Sequence, residues 1–150
     1  MSLAFKDRWI WDFWLVRDGA DRHLFWLQAF TSIGHPDERH WDTSIGHAVS
    51  RDLMRWETLP DALSPRPCGT WDDASTWAGS VIAQEGRWFL LYTGTSGADG
   101  RLVQRIGLAE SDSTVVFLAW RRRRPGADFH GALTDARTVE VLPDGALRIH

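Results

Sequence analysis

Asp12 interrupts an otherwise apolar aromatic run, Trp9-Ile10-Trp11-Asp12-Phe13-Trp14. A carboxylate in such a run is costly unless it pairs with an arginine, caps a loop or does chemistry. A second acidic pair, Asp72-Asp73, follows Trp71 and precedes Trp77-Ala78-Gly79-Ser80. Adjacent residues of an extended segment point to opposite faces, so at most one of the pair shares a site with Asp12; the alternative is an Asx-type loop leading into a strand. Carboxyl groups set among tryptophans fit the cleavage of a glycosidic bond. One carboxyl protonates the leaving oxygen while the other attacks the anomeric carbon or activates water, the two lying about 5–5.5 Å apart in retaining enzymes. The flat indole face suits the C–H-rich faces of sugar rings, and its single N–H adds one donor.

The chain has ten tryptophans and a single tyrosine, and half of these indoles are expected to be plain core. His47, between Gly46 and Ala48, reads first as a satisfied strand histidine. His35 and His40 fall in a loop with Asp37 and Glu38 and show no metal-ligand spacing, so no metal and no cofactor are expected. The chain has neither a phosphate-cradling glycine loop nor a Gly-x-Ser-x-Gly nucleophile elbow.

Seventeen basic and twenty acidic residues leave a net charge of −3, which gives no electrostatic case for nucleic acid or an anionic membrane as partner. The one strong charge run, Arg121 to Arg124, reads as a solvated strand end or loop. Cys68, the only cysteine, lies in a Pro/Gly-rich loop and has no partner for an intrachain disulfide. No apolar run approaches the ~18 residues of a membrane span. Lys6, Asp7, Arg8 and Asp12 break up the N-terminus where a signal peptide would be apolar, so a cytoplasmic location is expected.

These residues have to be positioned by strands. Period-2 patterning predicts strands at Trp9–Val16, His23–Phe30, Thr43–Ser50 and Leu53–Leu59, the last ended by Pro60. The pattern returns at Trp77–Gln84, Arg87–Thr93, Val103–Ser111 and Val115–Trp120. His23–Trp26 aligns with Arg87–Leu90, and Trp56 with Trp120, at an offset of 64; Ile45–Ser50 aligns with Ile106–Ser111 at 61. A four-stranded unit repeating at this length is the mark of a β-propeller, whose innermost strands line a central channel where carboxylates of different blades converge. Four to eight blades close such a ring. About two are present here, and open blade edges invite self-association.

The motifs resemble glycoside hydrolase family 32, the invertases, levanases and inulinases. Trp9-Ile10-Trp11-Asp12 is similar to the family's Trp-Met-Asn-Asp, and Trp11-Asp12-Phe13-Trp14 to the Trp-Asp-Ser-Trp of the related levansucrases. His23-Leu24-Phe25-Trp26-Leu27-Gln28 resembles His-Leu-Phe-Tyr-Gln. Gly46-His47-Ala48-Val49-Ser50-Arg51-Asp52-Leu53-Met54-Arg55-Trp56 follows Gly-His-Ala-Val-Ser-x-Asp-Leu-x-x-Trp, the longest and most specific match. Trp77-Ala78-Gly79-Ser80 resembles Phe-Ser-Gly-Ser, and Gly131–Arg137 with Asp144–Leu147 resembles the stretch that ends the family's propeller.

The resemblance implies an all-β fold of five-bladed propeller type, with two blades in residues 1–120 and a junction and closing hairpin in residues 121–150. It implies a retaining β-fructosidase acting on fructosides or related sugars, with Asp12 as nucleophile. Trp9, Trp11, Trp14, Gln28, Trp41, His47, Asp72, Asp73, Trp77 and Ser80 are the candidate sugar contacts. The family's Arg-Asp-Pro segment and its acid/base-bearing Glu-Cys segment have no counterpart, and Glu140, the last glutamate, lacks such a context. Turnover is therefore expected to be impaired. A non-catalytic sugar-binding or self-associating half-propeller is the alternative.

Overall fold

The structure, a computed structural model, describes residues 3–85, 87–97, 102–111, 139–141 and 147–149. Two antiparallel sheets carry the fold. The first runs β1 (Arg8–Asp18), β2 (Asp21–Phe30), β3 (Ser44–Ser50) and β4 (Glu57–Leu63), in that spatial order. The second runs β5 (Ser75–Gln84), β6 (Arg87–Ser96) and β7 (Val103–Ser111). A short hairpin, β8 (Val139–Val141) with β9 (Leu147–Ile149), lies in the segment expected to close the propeller. The expected strand Val115–Trp120, the Arg121–Arg124 run and the Gly131–Arg137 motif fall outside the described residues.

Directly paired residues share a face of an antiparallel sheet. Trp14 pairs with Phe25 and Phe25 with His47; Trp11 pairs with Leu27 and Leu27 with Ile45. That face of the first sheet packs on Trp88, Leu90 and Tyr92 of the second, and together they form the hydrophobic core. Among the described residues, the two larger sheets are thus propeller-type blades packed face to face.

Two expectations need correction. β4 does not end at Pro60 but continues to Leu63. It is the edge strand of its sheet, where a residue without an N–H is tolerated, and a register shift between Ile45 and His47 spans the proline. Leu53–Arg55 instead forms a turn in which the Asp52 carboxylate accepts from the backbone N–H groups of Met54 and Arg55, both at 2.8 Å. The loop carrying His35 and His40 also folds into a 3₁₀ helix, Pro36–Trp41, with Pro36 in its first turn and the His35 ring accepting from the Asp37 N–H.

The two-blade repeat is real, but its register differs from the sequence alignment. β1–β2 and β5–β6 each contain one bulge, between Trp11 and Phe13 in the first and between Trp77 and Gly79 in the second. The closing pairs Asp18–Asp21 and Gln84–Arg87 keep the same spacing, so the hairpins superpose at 66 residues (11 to 77), not 64. Trp26 is therefore equivalent to Tyr92. Each ring lies over a glycine on the next strand, Gly46 under Trp26 and Gly107 under Tyr92, and a Cβ at either glycine would run into the ring. The third strands superpose at 61 residues (46 to 107), as the sequence indicated.

Candidate active site

The bulges build the site. Asp12 is the extra residue of the first bulge and sits at φ 40°, a left-handed conformation that aspartate tolerates better than most side chains. A bulge re-aims the side chain it carries, and such sheet irregularities concentrate beside active sites. Ala78 is the extra residue of the second bulge.

Residues of both sheets and of the 3₁₀ helix line an open cavity of about 260 Å3: Trp11, Asp12, Leu27, His40, Trp77, Ala78 and Thr93. Six of these seven are three equivalent pairs of the repeat: Trp11 with Trp77, Asp12 with Ala78, Leu27 with Thr93. The meeting of corresponding positions of successive blades at one cavity is the arrangement expected about the axis of a propeller. The seventh residue, His40, ties the walls together. Its ring meets Trp11 edge-on, with centroids 5.5 Å apart at 80°, and its carbonyl accepts from Trp77 Nε1 at 2.8 Å. The Arg39 guanidinium lies 5.2 Å from the Trp11 ring centroid on the same helix.

Of the candidates named from sequence, the structure brings Trp11, Asp12 and Trp77 together in the cavity. The others lie elsewhere. Trp9 is half-buried on β1 opposite Ala29, and Trp14 stacks on Phe25 with centroids 5.8 Å apart, against the core. Gln28 is buried and held on all sides. Its Oε1 accepts from Trp26 Nε1 at 2.9 Å and from Arg8 at 3.1 Å, and its Nε2 donates to Asp61 at 2.8 Å and Ser44 at 3.2 Å. Trp41, at the end of the 3₁₀ helix, is 56% exposed, and Ser80 is exposed on β5.

His47 is buried in the core, stacked on Phe25 at 4.4 Å, and shares a 3.0 Å hydrogen bond between its Nε2 and His23 Nδ1. Burial above all, and then His23, push its pKa down to about 4, which keeps the pair neutral. Asp72 is buried in an ion pair with Arg66 and also accepts from the Tyr92 hydroxyl at 2.7 Å and the Thr70 hydroxyl at 3.2 Å. Burial, and then the Asp72 carboxylate, drive the Tyr92 hydroxyl pKa far upward. Asp73 accepts from the Gly69 N–H at 2.7 Å, the loop-capping reading of that residue. Asp12 is thus the only carboxylate lining the cavity among the described residues.

Sequence reasoning missed Leu27, His40, Ala78 and Thr93. The correct repeat offset would have paired Leu27 with Thr93 and Asp12 with Ala78; nothing in the sequence marks His40 beyond its place beside Trp41.

The two bulged sheets are of propeller type, and comparison with known proteins gives the family. Residues 18–125 match the glycosyl hydrolases family 32 N-terminal domain, and the chain belongs to that family. It is 31% identical over 130 residues to β-fructofuranosidase 1 of Zea mays, covering 85% of this chain and 17% of that protein. It is 34% identical over 102 residues to 6(G)-fructosyltransferase of Asparagus officinalis, covering 65% of this chain and 15% of that one. Among solved structures, the family 32 β-fructofuranosidase of Bombyx mori superposes with a TM-score of 0.52 at 26% identity, over 69% of this chain and 21% of that one. The exo-inulinase of Aspergillus awamori gives 0.52 at 25% identity, over 73% and 24%. The chain thus spans about a sixth of the length of these curated relatives.

Proposed function

We propose that this chain binds fructosides in the cavity between Trp11 and Trp77 and cleaves them slowly, by a retaining mechanism with Asp12 as nucleophile. The reading rests on one observation: Asp12, the one carboxylate lining the cavity among the described residues, rides on a sheet bulge beside Trp11 and opposite its repeat equivalent Trp77. Its relatives include a β-fructofuranosidase and a fructosyltransferase, which favours fructosyl donors. The Asp12 carboxylate attacks the anomeric carbon, the glycosidic bond breaks, and water later releases the sugar from the covalent ester. The indole faces of Trp11 and Trp77 hold the ring.

The slow turnover follows from the absence of a second carboxylate on the cavity wall among the described residues. Asp72 is tied to Arg66 and Tyr92 and does not stand in. An unprotonated leaving group costs about 10²–10⁴ in rate. The same observation favours a second reading, a sugar-binding module without turnover.

Release of reducing sugar from sucrose, levan and inulin, measured beside tryptophan quenching, separates the two. Quenching with slow release that vanishes in Asp12→Asn supports the enzyme. Quenching with no release supports the binding module, and release unchanged in Asp12→Asn removes Asp12 as nucleophile.

A further inference from the structure

Two ionisable side chains line the cavity, the Asp12 carboxylate on β1 and the His40 imidazole on the 3₁₀ helix. His40 holds Trp77 through its backbone carbonyl and Trp11 through ring contact. Neither task uses a ring nitrogen, and among the described residues neither nitrogen of His40 has a hydrogen-bond partner. The other described histidines are engaged. His23 Nδ1 and His47 Nε2 share a hydrogen bond in the core, and His35 Nδ1 accepts from the Asp37 N–H at the start of the helix. His40 is thus the histidine that brings unengaged imidazole nitrogens to the cavity wall.

The ring is also well placed to act. The helix end that carries it is tied to β5 by the 2.8 Å bond from Trp77 Nε1, and the Arg39 carbonyl accepts from the Thr43 hydroxyl at 2.8 Å. The ring itself rests against Trp11 with centroids 5.5 Å apart. A proton acceptor fixed in this way by packing and hydrogen bonds meets the geometric demand of base catalysis.

We propose that His40 is the general base of the second half of the reaction, taking the proton of the water that attacks the fructosyl ester of Asp12. The inference rests on the reading of Asp12 as nucleophile. The water oxygen bonds to the anomeric carbon, the bond from that carbon to the Asp12 oxygen breaks, and its electron pair returns to the carboxylate. The water proton passes to an imidazole nitrogen and from there to solvent, since the cavity is open. Imidazole is the side chain suited to accepting a proton near neutral pH. The first step, with its unprotonated leaving group, is left as it stands.

β-Fructosyl fluoride separates the two steps, because fluoride leaves without a proton. In the unaltered chain a fluoride burst is expected, followed by a steady release set by hydrolysis of the ester. His40→Phe keeps an aromatic ring against Trp11 and the carbonyl that holds Trp77, and removes both nitrogens. Its burst is expected to persist while steady release falls about 10²–10⁴-fold. Azide attacks with no proton to lose, so it is expected to restore release in the variant and yield fructosyl azide. His40→Gln is expected to behave alike, and near-ultraviolet circular dichroism of the tryptophans checks that both variants are folded. A normal burst in His40→Phe with steady release equal to that of the unaltered chain overturns the inference, as does azide that leaves the slowed release unchanged. A burst lost in both variants makes the ring a support for Trp11 and overturns it too. No burst in the unaltered chain removes Asp12 first and His40 with it, so the two failures are told apart.

Discussion

Trp11 and Trp77 occupy the same bulged position in successive sheets, 66 residues apart, and both are fastened to His40, one through its ring and the other through its carbonyl. The 3₁₀ helix is thereby a clamp across the two blades at the mouth of the cavity. The walls facing Asp12 are set by packing and a hydrogen bond rather than left to the rotamers of two exposed indoles.

Trp77→Phe keeps an aromatic wall but deletes the donor to the His40 carbonyl. A neutral hydrogen bond of this kind contributes about 1 kcal/mol. Stability is expected to fall by that amount in a urea titration, and quenching by fructosides to weaken, while Trp14→Phe, changed in the core, lowers stability and leaves the sugar titration in place.

Asp72→Asn is expected to destabilise the fold rather than alter sugar binding. It breaks the buried ion pair with Arg66, a loss of about 3–5 kcal/mol. Tyr92→Phe removes one of the carboxylate's donors and is expected to cost about 1–3 kcal/mol. Denaturant midpoints of the two variants check the order.

Acid is expected to loosen the core before it titrates most carboxylates. In the unfolded chain His47 takes a proton near 6.5; in the fold burial and His23 hold it to about 4. The unfolded state therefore binds more protons between those values, so stability is complete above about pH 6.5 and falls as pH drops toward 4. Burial also lowers His23, against the opposing pull of Asp18 and Asp21. From pH 6.5 to 5 the His47 contribution alone is a loss of about 2 kcal/mol. Urea midpoints across that range measure it, and His47→Gln is expected to flatten the profile.

Gly46→Ala is expected to be more damaging than its size indicates, because the added methyl enters the Trp26 ring. Gly107→Ala meets Tyr92 and Trp71 in the same way. Overpacking of this sort costs about 1–3 kcal/mol, read again from denaturant midpoints.

The strands were legible because period-2 alternation is local: β1, β2, β3, β5, β6 and β7 all stand where the apolar residues alternate. β4 was misplaced because Pro60 ends a central strand but not an edge strand, and edge status depends on the rest of the sheet. The repeat offset went wrong because matching His23–Trp26 to Arg87–Leu90 sets Leu90 at the place of Trp26. The true counterpart, Tyr92, shares only the job of covering a glycine on the next strand. Asp12 was legible as a charge out of place. Asp72 was not separable from it, since Arg66 and Tyr92 become its partners only when the loop folds onto β6. Leu27 and Thr93 reach the cavity solely through register opposite Trp11 and Trp77, which residue type cannot announce.

The central claim is that Asp12 stands as a nucleophile against a fructosyl ring held by Trp11 and Trp77. β-Fructosyl fluoride tests it most directly, because fluoride leaves without a proton and the general acid becomes irrelevant. Rapid-quench measurement of fluoride is expected to show a burst of one equivalent per chain, with the fructosyl mass carried on the Asp12 peptide, and no burst in Asp12→Asn. Equal fluoride release from the two proteins, or a fructosyl mass on any other residue, contradicts the account.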